Sequence, residues 1–171
     1  MNRVLARWNT LDAEAAAREA LSCCGSSAWA AALASKRPIP DEASLIAASN
    51  LIWLALPESA WREAFDSHPR IGQRAPQSHA TAESLRWSAQ EQHTVLSEHA
   101  ATKRALEEAN RRYEHKFGRI FIVCASGQSS SEILSVLEAR MNNDPATELR
   151  EAAEQQRQIT QLRLHRWLEQ D

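Results

Sequence analysis

Glycine is scarce in this chain, four residues in 171, and there is a single Tyr. Ala, Leu, Glu, Gln and Arg abound instead, and these residues lose little freedom in a helix, so the composition favours helix. Cysteine is rarer still: Cys23, Cys24 and Cys124. An odd count with two neighbours gives neither an even disulfide framework nor a CxxC site, and free thiols suit a reducing compartment. Long apolar runs are missing. The most apolar stretch, 45–56, is too short to span a bilayer and carries Ser49 and Asn50. The opening MNRVLARWNT has no apolar core of a secretory signal. Neither sign of charge dominates, with 20 Lys and Arg against 22 Asp and Glu and a formal net charge of −2. Without a basic footprint, nucleic acid is not an expected partner, and without a span or anchor neither is a membrane. A soluble, cytoplasmic protein is expected.

Several chemical signatures are absent as well. There is no GxGxxG, no P-loop, no GxSxG elbow and no HExxH. His93 and His99 are six apart, off a common helix face, and His79, His115 and His165 offer no better ligand spacing. The expectation is no metal and no cofactor.

What is there reads as helix after helix. Asn9 or Thr10 can cap LDAEAAAREALSCC, which Gly25 ends. A short Ala-rich helix, AWAAALASK, runs into Arg37-Pro38. Asp41 caps a third helix over 42–56, and Pro57 opens a fourth, ESAWREAF. Irregular chain covers 68–80. A further helix starts near Thr81 and runs through SLRWSAQEQHTVLS, and the next covers 100–116 and ends on Gly118. Ser129 to Ser131 cap EILSVLEARMNN, and Asp144-Pro145 opens a last helix reaching Leu168. The six Trp recur at helical positions and read as core. RIFIVCASG (119–127) dissents, being β-branched and continuous rather than amphipathic. A lone short strand has no partner, so it is expected as extended chain or a helical turn packed inside the helical bundle. No repeat or linker divides the sequence. The predicted fold is all-α, a single-domain helical bundle over 1–171 with one extended connector near 119–127.

Two segments hold candidate chemistry. Pro69 pushes His68 out of the helical region, which ends the preceding helix and aims the imidazole away from it. Gly72 then permits a backbone conformation or a close approach that a side chain forbids. An imidazole placed this way can move a proton, or can simply meet the helix dipole. In SAQEQ, helical spacing puts Ser88, Glu91 and Gln92 on one face. That face can bind a small polar ligand, or be solvated. Arg163, four after Ile159 and four before Trp167, falls on an apolar stripe, where it needs an anionic or carbonyl partner unless it snorkels to the helix edge.

HPRIG (68–72), SAQEQ (88–92), NRRYEHKFGRIFIVCASG (110–127), EILSVLEARMNND (132–144) and EQQRQITQLRL (154–164) together resemble the 2-oxo-4-hydroxy-4-carboxy-5-ureidoimidazoline (OHCU) decarboxylases in order and spacing. The resemblance runs from residue 45 to the C-terminus, and the first forty residues carry no such fingerprint. It implies an all-helical, homodimeric, cofactor-free lyase of urate breakdown. Such an enzyme follows urate oxidation and hydroxyisourate hydrolysis and turns OHCU into (S)-allantoin and carbon dioxide. Carried over, it implies that His68 is the catalytic histidine, Glu91 its partner carboxylate and Arg163 the arginine of the last helix, with Arg157 and Arg166 as competitors. Pro69, Ser88 and Gln92 become substrate-binding positions, as do backbone groups of Phe121, Ile122, Val123, Cys124 and Ala125. Cys124 is otherwise read as packing. The rival readings are a helical module that binds a ureide without converting it, and a decarboxylase or hydrolase of a related ureide.

Overall fold

The computed structural model describes residues 2–97 and 100–170, the side chains of 96 and 97 excepted, so His99 lies outside the described residues. Among the described residues there are ten helices and no strand, only an isolated bridge between Pro69 and Pro76. The all-α expectation holds. No helix there is long and apolar enough to cross a membrane. The chain forms two compact units, Met1–Ala64 with Arg157–Asp171, and Phe65–Gln156.

The first unit holds α1 (Arg3–Thr10), α2 (Ala13–Ala20), α3 (Ser27–Ala34), α4 (Glu42–Ala55), most of α5 (Glu58–Asp66) and the end of α10 (Pro145–Leu168). Its start differs from the sequence reading. Asn2 caps α1, accepting from the Leu5 N–H, and Asp12 caps α2, accepting from the Ala15 N–H at 2.8 Å. Asn9 is no cap. Its amide exchanges two hydrogen bonds with the Ile39 backbone, at 2.8 and 3.0 Å. Nor does Gly25 end α2, which stops at Ala20. Asp41 caps α4 as expected. Helix α2 packs on α3 and α3 on α4, and Leu5, Trp8, Trp29, Leu33 and Leu45 of this unit are fully buried. Trp8 meets the edge of Trp167 at 5.7 Å. Arg37 donates to the C=O of Trp8, Leu11 and Ala34, adding a side-chain partner to carbonyls at the ends of α1 and α3.

The second unit holds α6 (Ala82–Glu91), α7 (His93–Ser97), α8 (Ala100–Phe117), α9 (Ser130–Arg140) and the start of α10. The single helix expected across 81–97 is two. Gln92, at φ −98° and ψ 13°, closes α6. Gly118, at φ +66°, ends α8 as its sequence position suggests. A full capping box of Ser129 and Glu132 opens α9. Asp144 accepts from the N–H groups of Ala146 and Thr147 to open α10 behind Pro145. Residues 119–125 run between α8 and α9 without regular secondary structure, as expected. Their apolar side chains Phe121, Val123 and Ala125 join Leu106, Tyr113, Phe117, Ile133 and Leu137 in one core.

Candidate active site

Helix α5 stops at Asp66 because the chain meets Pro69 three residues on. The His68 N–H donates to the Phe65 C=O at 3.1 Å, closing a last tight turn. The loop then doubles back, with the Asp66 C=O accepting from the N–H groups of Gln77 and Ser78. His68 is buried, and its Nε2 lies 2.8 Å from Gln156 Oε1 of α10. An amide oxygen only accepts, so this contact places the proton on Nε2 and sets the tautomer. Gly72 has φ +87°, yet a Cβ there would meet nothing within 4 Å. Of the two reasons for a glycine, the left-handed backbone is the operative one.

The loop is tied to its surroundings at every other turn. Gly72 donates its N–H to Gln92 Oε1 at 2.8 Å, Asn110 Nδ2 donates to the Ile71 C=O at 3.3 Å, and Arg70 grips Glu114 with two nitrogens. The first of these bonds joins HPRIG directly to SAQEQ. The face carrying Ser88 and Gln92 is not solvated. Both are buried with Ser84 and Trp87, and Glu91 is half-buried. Pro69 lines a cavity of about 350 Å³ together with Leu85 and Ala89 of α6. A second, of about 280 Å³, opens beside Arg70, Ile71 and Asn110.

The connector completes this unit's share of the predicted residues. Cys124 donates its N–H to Gln155 Oε1 and accepts from Gln128 Nε2, both at 2.9 Å, while the Ile122 C=O accepts from Arg140 Nη1 at 2.8 Å. In extended chain, successive residues turn their polar backbone groups to opposite edges. Ile122 and Cys124 use one edge on the protein. Phe121 and Val123 belong to the other edge. They are buried, and no hydrogen bond within the described residues takes up their N–H and C=O groups. Buried backbone groups without partners are costly, which makes this edge a place for a ligand.

Gln155 and Gln156 were missed by the sequence reading. Neighbours on α10, one holds the connector and the other holds His68. A signal existed: Gln156 lies four after Ala152 and three before Ile159, both buried, and so falls on the helix's inner stripe.

Arg163 belongs to the other unit. It is fully buried on the stripe of Ile159 and Trp167, so the snorkelling alternative fails, whereas Arg157 and Arg166 are only partly buried. Burial pushes the nearby Cys24 thiol up to about 12, against smaller opposing effects of a Thr160 hydrogen bond and the Arg163 charge. That thiol stays protonated at neutral pH.

Residues 9–165 match the family described as OHCU decarboxylase. The chain belongs to the OHCU decarboxylase family. The match starts well before residue 45, so α2 and α3 lie within it. Over 143 residues, 83% of this chain, it is 36% identical to the uric acid degradation bifunctional protein TTL of Arabidopsis thaliana, of whose length it spans 44%. It is 32% identical over 136 residues to an OHCU decarboxylase of Amia calva, covering 79% of this chain and 77% of that protein. A crystal structure of an OHCU decarboxylase in the presence of (S)-allantoin superposes with a TM-score of 0.75 at 32% identity, covering 88% of this chain and 96% of that one. An (S)-allantoin synthase superposes with a TM-score of 0.70 over 95% of this chain and 53% of that one, and at 19% identity it speaks for the fold alone.

Proposed function

We propose that this chain is a cofactor-independent carboxy-lyase that converts OHCU into (S)-allantoin and carbon dioxide in urate breakdown. The observation that carries the proposal is the hydrogen bond from Gly72 to Gln92, which joins the His68 loop to the Ser88–Glu91–Gln92 face within one unit of an OHCU decarboxylase-family fold. The substrate bears a carboxylate and a hydroxyl on one ring carbon beside a C=N bond. Electrons of the breaking C–C bond pass into that C=N, so the substrate brings its own electron sink. His68, supported by Glu91, exchanges a proton with the 4-hydroxyl as carbon dioxide leaves. Ser88, Gln92 and Pro69 shape the pocket, and the open edge of 121–125, Val123 foremost, pairs with the ureido group. Arg163 takes the anionic charge, an assignment supported by its full burial. Delivery of the new C–H proton from one face gives the S configuration.

The proposal extends to the whole chain. Residues 1–171 are read as a single domain, a reading supported by the family match over residues 9–165. The compartment is cytoplasmic and reducing, a reading supported by the buried thiols of Cys23 and Cys24. The protein pairs as a homodimer, and the exposed Leu51 and Leu54 of α4 supply the face.

Freshly generated OHCU followed by circular dichroism tests the activity. Accelerated, single-handed formation of (S)-allantoin is expected. His68→Ala and Glu91→Ala, folded, should lose about 10²–10⁴-fold in turnover, the usual worth of positioned acid–base assistance. A folded His68→Ala protein turning over at the normal rate would reject the assignment.

A further inference from the structure

We infer that Arg140, backed by Glu148, is a positioning residue that decides which edge of the 121–125 connector faces the substrate. The inference rests on the decarboxylase reading above and adds to it a part of the molecule that never meets the ligand.

Arg140 ends α9 with its side chain almost wholly buried. All three guanidinium nitrogens donate. Nη1 donates to the Ile122 C=O at 2.8 Å, Nε and Nη2 both donate to Glu148 Oε1, and the charged carbon stands 4.5 Å from the centre of the Phe121 ring. Glu148 has no exposure at all. It also accepts from the Tyr113 hydroxyl and from Asn143 Nδ2. Tyr113 in turn presents its ring to Phe121 edge-on at 5.2 Å. Phe121 therefore sits between a cation and an aromatic edge while the next carbonyl along the chain is hydrogen-bonded to that same cation.

Consider what this does to an extended segment. Hydrogen-bonding Ile122 inward turns Val123, one residue on, outward, because the polar groups alternate with a period of two. A slip by one residue would turn Ile122 and Cys124 to the ligand edge and Val123 into the protein. The planar fork of an arginine suits this task, since it holds a carboxylate and a carbonyl at fixed angles, which a lysine cannot do. Stability is a poor explanation for the pair. Exchanging a buried ion pair for well-packed neutral residues of similar volume is often neutral or favourable, so the pair is better explained by the geometry it imposes.

Two variants test this. Arg140→Met combined with Glu148→Gln removes the charge pair without leaving either charge stranded. Arg140→Lys keeps a cation beside Glu148 but gives up the fork. Each is compared with the unaltered protein for thermal unfolding, KM and kcat on fresh OHCU, and the Kd of (S)-allantoin by calorimetry. Loss of the strip's register should raise KM and the (S)-allantoin Kd on the order of tenfold, the worth of a hydrogen bond or two, with a smaller change in kcat. A merely structural role predicts the reverse: a lower unfolding temperature and fewer active molecules, hence reduced kcat at unchanged KM, and that pattern overturns the inference. Should the double variant fail to fold, Arg140→Lys decides alone, and an unaltered KM and Kd in it are equally fatal. An unaltered protein that neither accelerates OHCU decay nor binds (S)-allantoin removes the decarboxylase reading itself, a result visible before any variant is made.

Discussion

At the scale of single residues, the side chains that define this site are polar groups held by other polar groups. His68 has its Nε2 proton directed at Gln156, and Gln92 spends its amide oxygen on the Gly72 N–H. Each contact removes a freedom: the tautomer in the first case, the path of the loop in the second. The glutamine beneath the histidine is the more consequential, since it sits on a helix and is fully buried. Gln156→Ala should leave α10 intact, alanine being the better helix former, while the imidazole loses its anchor. Turnover should fall on the order of tenfold, in proportion to one lost hydrogen bond, and stay above that of His68→Ala. Steady-state kinetics beside a far-ultraviolet spectrum checks this, and full activity in Gln156→Ala would show that the imidazole is oriented by something else.

Among the elements, the best-read boundaries are those with local chemistry. Asp41, Ser129 with Glu132, and Asp144 with Pro145 each start a helix where their side chains suggest, because a cap acts over three residues and needs no tertiary partner. The break at Gln92 has no such signature. Neither Gly nor Pro marks it; the Gln92 backbone N–H closes α6 on the Gln90 and Ser88 carbonyls, while its side-chain oxygen accepts from Gly72, twenty residues earlier. The first helix escapes the sequence reading for a plainer reason: its cap, Asn2, is the second residue, and that reading starts its first helix only after Asn9 or Thr10. The caps themselves carry a pH signature. Hydrogen bonds from N–H groups, and in Asp144 first of all from the Thr147 hydroxyl, hold Asp12, Asp41 and Asp144 below the ordinary 3.8. A folded value below the unfolded one means a contribution present above 3.8 and lost as pH falls through the depressed value. Asp144→Ala should therefore lower the urea midpoint at about pH 6 and converge on the unaltered protein near about pH 2. A deficit of constant size across that range would assign the loss to helix propensity instead of the carboxylate.

For the whole molecule, the sequence was most legible where segments are compact and least where residues meet from far apart. HPRIG, SAQEQ and the 119–127 connector could each be picked out from their own spacing. Arg140 and Glu148 could not: they lie eight apart across the turn between two helices, outside any helical register, and the carbonyl that Arg140 holds lies eighteen residues upstream of it. The same contrast governs the surface. Helix α4 buries Leu45, Ser49 and Trp53, which leaves Ala43, Ala47, Leu51 and Leu54 exposed on another face, and Leu51 and Leu54 are 71% and 65% exposed. Its sequence, apolar nearly all round, reads as a core helix when taken alone. Two alanines followed by two leucines instead face outward on one side of the helix, and the proposed homodimer sets two copies of this stripe against each other about a two-fold axis. Such an interface is isologous, so one substitution acts twice, once from each copy. Leu51→Asp would set two carboxylates into the same apolar seam, a like-charge pair with no cation supplied. Light scattering coupled to size exclusion should give a dimer for the unaltered protein and a monomer for Leu51→Asp with its helical spectrum kept. A dimer that survives both Leu51→Asp and Leu54→Asp would place the interface on another face of the molecule, and a monomeric unaltered protein would remove the dimer altogether.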